Sequence, residues 1–158
     1  ARRQRQMCIR DSPDSVGIMG SSAGGHLAST VATHAPAKLR PAFQILFYPV
    51  ITMGGQNVHQ GSKKHLLGEN PNSKLVKKYS NEWQVNKKTP CAFIALSGDD
   101  QSVKPVHSVN YHKALITQKI PSEIHIYANG KHGWGYNKRP FAQRAEMMRD
   151  LENWLETL

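Results

Sequence analysis

The sequence has 158 residues, 39% hydrophobic and 20% charged, which suffices for one domain with a buried core and excludes a low-complexity chain. Its 21 Lys and Arg against 11 Asp and Glu give a net charge of +10, but the basic residues are scattered and no aromatic stripe accompanies them. We therefore expect solvated surface charge and no nucleic-acid binding, and no membrane span, because no run of about 18 apolar residues occurs.

Short apolar runs alternate along the chain with longer amphipathic ones. In chain order they predict a strand over 16–19, a helix over 22–34, a strand over 43–48, a polar excursion over 53–90 with short helices at 63–67 and 73–79, a strand over 91–96, a helix over 106–118, a strand over 124–127 and a helix over 141–158. The last helix is expected to bury an apolar stripe made of Met147, Met148, Leu151, Trp154 and Leu155. Apolar strands that alternate with helices predict an α/β fold with a mostly parallel sheet covered on both faces.

Two features carry no predicted chemistry. Cys8 and Cys91 form no closely spaced metal or redox motif, so we expect buried, inert thiols. The first six residues are not followed by an apolar run and are therefore not a signal peptide. Because the sequence does not begin with Met, we expect that a native start, with any targeting segment, lies upstream.

The segment Gly20-Ser21-Ser22-Ala23-Gly24 fits the pattern G-x-S-x-G with Ser22 at its centre. A predicted strand before it and a helix after it are the setting in which a sharp turn projects one serine oxygen. Small residues two positions before and after the serine are expected to avoid a clash, and the N–H of Ala23 would face a developing oxyanion. The pattern predicts a nucleophile at Ser22; the alternative is a Gly/Ser turn that caps a helix.

A serine nucleophile needs a base that takes its proton and a carboxylate that orients the base, here expected in the chain order serine, acid, histidine. Between Ser22 and the last histidine, only Asp99 and Asp100 directly follow a predicted strand, where catalytic groups collect in parallel sheets. Because Ser97 and Gly98 make the segment turn-like, a structural turn or helix cap is the alternative role for this pair.

Of the eight histidines, His132 alone lies in a Gly-rich loop after the last predicted strand, residues 129–135. A catalytic histidine needs this setting because it must reach both the serine oxygen and the carboxylate. A loop histidine is by itself more often a surface residue, but after an elbow and a post-strand Asp pair His132 is predicted to be the base.

At this point the motifs resemble a known family. Residues 16–29 look like the elbow of the esterase/lipase branch of the α/β-hydrolases, most similar to bacterial carbohydrate esterases of the acetylxylan and xylanase-associated type, with feruloyl-esterase-like relatives. Residues 45–50 match the strand after the elbow helix, and residues 132–135 resemble the family's H-G-W/F-G base motif. Residues 100–105 resemble its D-x-x-V-(P)-P acid motif, which selects Asp100 over Asp99. The resemblance spans nearly the whole chain.

The resemblance also implies what stands before the elbow. Family members carry further strands and a His-Gly-Gly-Gly-type loop there, and that loop supplies a second oxyanion N–H. Residues 1–158 would then be the part of an α/β-hydrolase domain from the elbow strand to the C-terminal helix. We therefore expect this chain alone to be a fragment with four parallel strands, poorly soluble and weakly active or inactive.

The function implied by the resemblance is hydrolysis of carboxylic esters, with deacetylation of a plant polysaccharide such as xylan or its oligosaccharides. Ser22, Asp100 and His132 would form the triad, and the Ala23 N–H would be part of the oxyanion hole, with no metal or organic cofactor. Tyr48 and Trp134 are expected either to line the mouth of the pocket or to pack in the core.

The predicted partners are small-molecule or oligosaccharide esters, with no nucleic acid and no membrane. The resemblance favours a periplasmic or secreted protein, and the oligomeric state is not predicted. Two other functions stay open: a serine peptidase of the prolyl-oligopeptidase type, which shares the fold and triad, and an inactive fragment or basic binding module.

Overall fold

The computed structural model describes residues 16–135 and 139–158, in which four parallel strands form one sheet in the order β1-β2-β3-β4. The strands are β1 (Ile18–Ser21), β2 (Phe43–Phe47), β3 (Cys91–Ser97) and β4 (Ser122–Tyr127). The helices are α1 (Ala23–His34), α2 (Gln60–Leu67), α3 (Ser73–Tyr79), α4 (Val106–Thr117) and α5 (Arg144–Leu155), and short 3-10 turns span Ala37–Leu39 and Asn81–Trp83. The predicted α/β fold class is confirmed.

Helices cover both faces of the sheet. On one face α4 packs against the central strands, where the Tyr111 hydroxyl donates to Gln44 Oε1 at 3.0 Å. On the other face Trp154 of α5 packs against Phe93 and Phe43, with ring centroids 5.7 and 5.9 Å away. Because side chains alternate along a strand, β2 and β3 supply apolar groups to both faces and are buried almost throughout.

The two outer strands of the described sheet are less buried. At β1 the Met19 side chain is 63% exposed, and at β4 Ile126 is 50% exposed. Each of these strands pairs with a single neighbour among residues 16–135 and 139–158. None of the helices in this part of the chain has both the length and the apolar character needed to cross a bilayer.

The closing helix differs from its prediction. It begins at Arg144 rather than at residue 141, because the Phe141 ring is stacked on Trp134 at 4.0 Å and the chain turns there before the helix starts. Met147, Leu151 and Trp154 are buried as predicted, at the spacing i, i+4, i+7. The expectation for Met148 and Leu155 was wrong: they lie beside that stripe and are 43% and 38% exposed.

Local capping explains the helices of the polar excursion. The His59 side chain accepts the Ser62 N–H and starts α2 at Gln60, before the predicted residue 63. The Asn72 side chain accepts the Leu75 N–H and starts α3 at the predicted position. Cys91 is half-buried, and burial raises the pKa of its thiol, whereas Cys8 lies outside the described residues.

Candidate functional site

Ser22 occupies the sharp turn between β1 and α1, with φ 54° and ψ −123°. A positive φ is unusual for serine and is held by main-chain hydrogen bonds to the end of β2. The Ser22 N–H donates to the Phe47 carbonyl at 3.0 Å, and the Val50 N–H donates to the Ser22 carbonyl at 3.0 Å. The strained serine is therefore fixed on both sides, at the carboxyl edge of the parallel sheet.

The glycines around this turn contribute unequally. A Cβ at Gly20 would lie 2.2 Å from the Gly24 carbonyl oxygen, and a Cβ at Gly25 would lie 2.6 Å from the Pro49 Cβ. A Cβ at Gly24 would meet no atom of the described chain within 4 Å. The expected clash two residues before the serine is present, but on the other side the tight position is Gly25 rather than Gly24.

Asp100 lies in the turn that follows β3, and its side chain is 1% exposed. Its Oδ1 accepts the N–H groups of Ser102 and Val103 at 2.9 and 3.0 Å, so the carboxylate cannot rotate freely. Its Oδ2 lies 2.6 Å from His132 Nδ1. The neighbouring Asp99 makes a different contact, because its Oδ1 accepts the Lys131 N–H at 2.8 Å.

His132 lies in the loop after β4 and bridges the other two side chains. Its Nε2 is 2.8 Å from Ser22 Oγ, while its Nδ1 faces the Asp100 carboxylate. An ionised carboxylate only accepts hydrogen bonds, so Nδ1 carries the proton that donates to Asp100, and Nε2 is left to accept the Ser22 hydroxyl proton. The structure thus brings Ser22, Asp100 and His132 into one continuous chain of hydrogen bonds.

Tyr48 supports this loop. It is 3% exposed, its ring meets the His132 ring edge-on with centroids 4.7 Å apart, and its hydroxyl accepts the Gly135 N–H at 2.8 Å. Trp134 is fully buried, and its Nε1–H donates to Ser97 Oγ at 2.7 Å. Of the two roles expected for these aromatic residues, the burial favours packing under the His132 loop over lining a pocket.

One buried residue near the site carries no sequence motif. His107, at the start of α4, accepts the Ile51 and Thr52 N–H groups on Nδ1 at 2.9 and 3.2 Å, and its Nε2–H donates to the Asn57 carbonyl at 2.8 Å. Desolvation by burial lowers the pKa of this imidazole. A neutral His107 therefore ties the segment after β2 to α4, the helix that follows the Asp100 turn. No local pattern in the sequence indicates this role, because the partners of His107 are 50 or more residues away.

The Ala23 N–H is the first amide of α1 and is adjacent to Ser22, and the first amides of a helix have no partner within the helix. A cavity of about 410 Å³ begins at Ala23 and continues between α1 and α2. Its walls are mainly apolar and include Leu27, Met53 and Leu66. Within 16–135 and 139–158, no group of three or more His, Cys, Asp and Glu side chains is arranged to hold a metal ion.

Sequence comparison relates this geometry to known proteins. The profile of the prolyl oligopeptidase family matches residues 10–158. The chain is 38% identical over 150 residues to an acetylxylan esterase of Xylanibacter ruminicola, covering 92% of this chain and 31% of that protein. It is 36% identical over 127 residues to the endo-1,4-beta-xylanase B of Butyrivibrio fibrisolvens, covering 73% of this chain and 20% of that protein. The chain therefore spans about a third or less of these relatives.

Solved structures share the fold. An acetyl ester-xyloside bifunctional hydrolase from Caldicellulosiruptor lactoaceticus is 36% identical, with a TM-score of 0.87 and coverage of 98% of this chain and 61% of that one. A sugar hydrolase from Lactococcus lactis is 26% identical, with a TM-score of 0.78 and coverage of 98% and 63%. Both matches place the described sheet and helices in an α/β-hydrolase architecture.

Proposed function

From its membership of the prolyl oligopeptidase family and its α/β-hydrolase fold, we propose that the chain is part of a serine esterase. This part carries the catalytic triad, and the enzyme removes acetyl groups from a plant polysaccharide such as xylan. In this proposal Ser22 is the nucleophile, His132 the general base and Asp100 the orienting carboxylate. Residues 1–158 would be the part of the hydrolase domain that runs from the elbow strand to the C-terminal helix.

The observation that carries the proposal is the hydrogen-bonded series Ser22 Oγ, His132 Nε2, His132 Nδ1 and Asp100 Oδ2, with separations of 2.8 and 2.6 Å. Three residues that lie up to 110 positions apart in sequence meet there without any change of conformation. A structural turn would need neither the positive φ at Ser22 nor a buried carboxylate aimed at an imidazole.

The geometry supports acyl transfer in two steps. In the first, His132 Nε2 takes the Ser22 hydroxyl proton while Oγ attacks the ester carbonyl, and Asp100 stabilises the imidazolium that forms. The Ala23 N–H would donate to the oxyanion of the tetrahedral intermediate. His132 then gives its proton to the departing sugar oxygen, which leaves an acetyl group on Ser22.

In the second step water replaces the sugar alcohol. His132 takes a proton from water as the hydroxide attacks the acetyl carbonyl, and the tetrahedral intermediate collapses with Ser22 as the leaving group. The proton returns from His132 to Ser22 Oγ, and acetic acid is released. Tyr48 and Trp134 act in this scheme by holding the His132 loop in place, since both are buried against it.

The direct test is covalent labelling of the whole protein with a fluorophosphonate, followed by hydrolysis of acetylated xylan. Ser22→Ala should abolish labelling and lower turnover by about 10⁶. Ser21→Ala is the matched control, because it changes the adjacent serine at the end of β1 and should keep both activities. Labelling that persists in the Ser22→Ala protein would disprove the assignment of the nucleophile.

The family match itself favours a second candidate, a serine peptidase of the prolyl-oligopeptidase type. The same triad chemistry would serve a peptide bond, with the leaving amine in place of the sugar alcohol. Parallel kinetics on acetylated xylan, short-chain p-nitrophenyl esters and proline-containing peptides separate the two. A kcat/KM for the peptide above that for the acetylated xylan would favour the peptidase.

A further inference from the structure

Trp83 is a large aromatic side chain that the fold leaves in solvent. It is 69% exposed, whereas Trp134 and Trp154 are 0% and 5% exposed. An exposed indole gives up the stabilisation that burial of its large apolar surface would bring. A single exposed apolar residue is common, so the surroundings of Trp83 decide whether it has a role.

The turn that carries Trp83 is firmly anchored. Asn81 is fully buried, and its Nδ2 donates to Ser29 Oγ at 2.7 Å and to Thr30 Oγ1 at 2.9 Å, both on α1. The Asn81 N–H donates to the Ile51 carbonyl at 3.2 Å, in the segment that follows β2. The backbone of the 3-10 turn Asn81–Trp83 is thus anchored, and the point from which the indole projects is set before any ligand arrives.

A groove of about 520 Å³ lies between this turn and α4. Glu82, Trp83 and Val85 form one wall. The other wall is one face of α4 together with Gln118, which caps that helix, and it includes Asn110 and Lys113. Within residues 16–135 and 139–158, the side chains of Asn110, Lys113 and Gln118 and the Trp83 indole N–H have no hydrogen bond to protein. An aromatic surface therefore faces donors and acceptors that are all available to a ligand.

We propose that this groove binds the pyranose rings of a neutral polysaccharide, as a second site separate from Ser22. The apolar C–H face of a sugar ring would lie on the Trp83 indole, while the hydroxyl groups at its edge would bond to the Asn110 and Gln118 amides and to the Lys113 ammonium. Two neutral amides, one ammonium and the Glu82 carboxylate, which also lines the groove, suit hydroxyl groups better than phosphates, which call for clustered cations. The choice of a polysaccharide among neutral ligands rests on the proposed function.

Such a site would assist the triad without contributing to the chemistry. None of Ser22, Asp100 and His132 lines the groove. A polymer held at Trp83 would present its ester groups at a raised effective concentration, which increases the rate at low polymer concentration and leaves small esters unaffected.

The test measures binding without hydrolysis. The whole protein and its Trp83→Ala and Trp83→Tyr variants are run in affinity electrophoresis through gels that contain chemically deacetylated xylan. Trp83→Ala should bind at least about tenfold more weakly, as expected for removal of an aromatic anchor, and Trp83→Tyr should keep most of the affinity. Leu39→Ala is the matched control, because Leu39 is 73% exposed on the other 3-10 turn and lies outside the groove.

A second readout uses fluorescence. Acrylamide quenches exposed tryptophan, so the quenching that is lost in the Trp83→Ala protein reports on Trp83, and a xylo-oligosaccharide should reduce that part of the quenching. Equal retention of the parent and Trp83→Ala proteins, or quenching that the oligosaccharide does not change, would overturn the proposal. So would retention that disappears in about 0.5 M salt and is matched on polygalacturonate, since that indicates a polyanion held by charge. Because deacetylated xylan carries no ester, failure of this site and failure of the esterase proposal are distinguishable.

Discussion

The replacement of Asp100 by Asn tests the site most sharply, because the structure fixes which way the new amide must face. Oδ1 of Asp100 accepts two main-chain N–H groups, from Ser102 and Val103. An Asn at this position keeps those bonds only if its oxygen takes the place of Oδ1, which turns its NH₂ group toward His132 Nδ1. That nitrogen must then accept, so the ring proton moves to Nε2 and points at Ser22 Oγ. The base can no longer take the serine proton.

The expected loss is large. The same change of tautomer in a Ser-His-Asp hydrolase lowers kcat by about 10⁴, which corresponds to about 5 kcal/mol of transition-state stabilisation. Asn has nearly the shape of Asp, so the fold should survive. Asp99→Asn is the matched control: an Asn oxygen still accepts the Lys131 N–H, and we expect a loss of less than about fivefold, since only a charge-assisted hydrogen bond becomes neutral.

The assay is the hydrolysis of p-nitrophenyl acetate by the whole protein and both variants, with near-UV circular dichroism to verify the fold. The rate of fluorophosphonate labelling should fall in parallel with kcat, because both need the activated serine. A larger loss for Asp99→Asn than for Asp100→Asn would refute the tautomer argument and move the acid to the neighbouring residue.

Three further predictions concern stability. Gly24→Ala should raise the unfolding free energy by about 0.5–1 kcal/mol, whereas Gly25→Ala should lower it by about 1–3 kcal/mol because the new Cβ meets Pro49. Urea titration measures both changes, and the opposite signs would show that Gly24 is the crowded position. Burial raises the pKa of Glu82, so its ionised form costs stability as pH rises above about 4.5. Glu82→Gln should therefore raise Tm at pH 7.5 and not at pH 4, and an equal shift of Tm at both pH values would contradict this. Burial lowers the pKa of His107 below 6.5, so protonation of the unfolded chain lowers the unfolding free energy as pH falls through 6.5. His107→Gln should reduce this loss of unfolding free energy between pH 7.5 and 5. An unchanged dependence of the unfolding free energy on pH, measured by denaturant titration, would exclude this role.

The sequence predicted the order of strands and helices well, because each rests on a local pattern. Residues 43–48 are apolar or aromatic except for Gln44, and residues 91–96 are apolar throughout; the structure has buried parallel strands at Phe43–Phe47 and Cys91–Ser97. The helix Ser73–Tyr79 was also found, since Asn72 caps it locally. The prediction placed the start of the closing helix three residues early. Phe141 stacks on Trp134 instead of beginning the helix, and the apolar periodicity of the sequence does not show that contact.

The candidate site shows the same division. The motif around Ser22 and the loop position of His132 follow from short patterns. Chain order and the position after a predicted strand limited the acid to Asp99 or Asp100, and the family resemblance selected Asp100. Which carboxylate contacts the imidazole depends on the turn after β3, and there Asp100 faces His132 while Asp99 faces the Lys131 N–H. The burial of Tyr48 and Trp134 likewise depends on how the His132 loop folds back on the sheet.

By itself, then, the sequence determined the alternation of strand and helix, the strained serine turn and the residue types for acyl transfer, since these depend on neighbours within a few positions. Tertiary structure decided the different contacts of the two aspartates, that Gly25 and not Gly24 is the crowded glycine, that His107 ties the segment after β2 to α4, and that Trp83 faces solvent. These outcomes depend on distances between segments far apart in the chain, and such distances are set by packing across the whole sheet rather than by any local pattern.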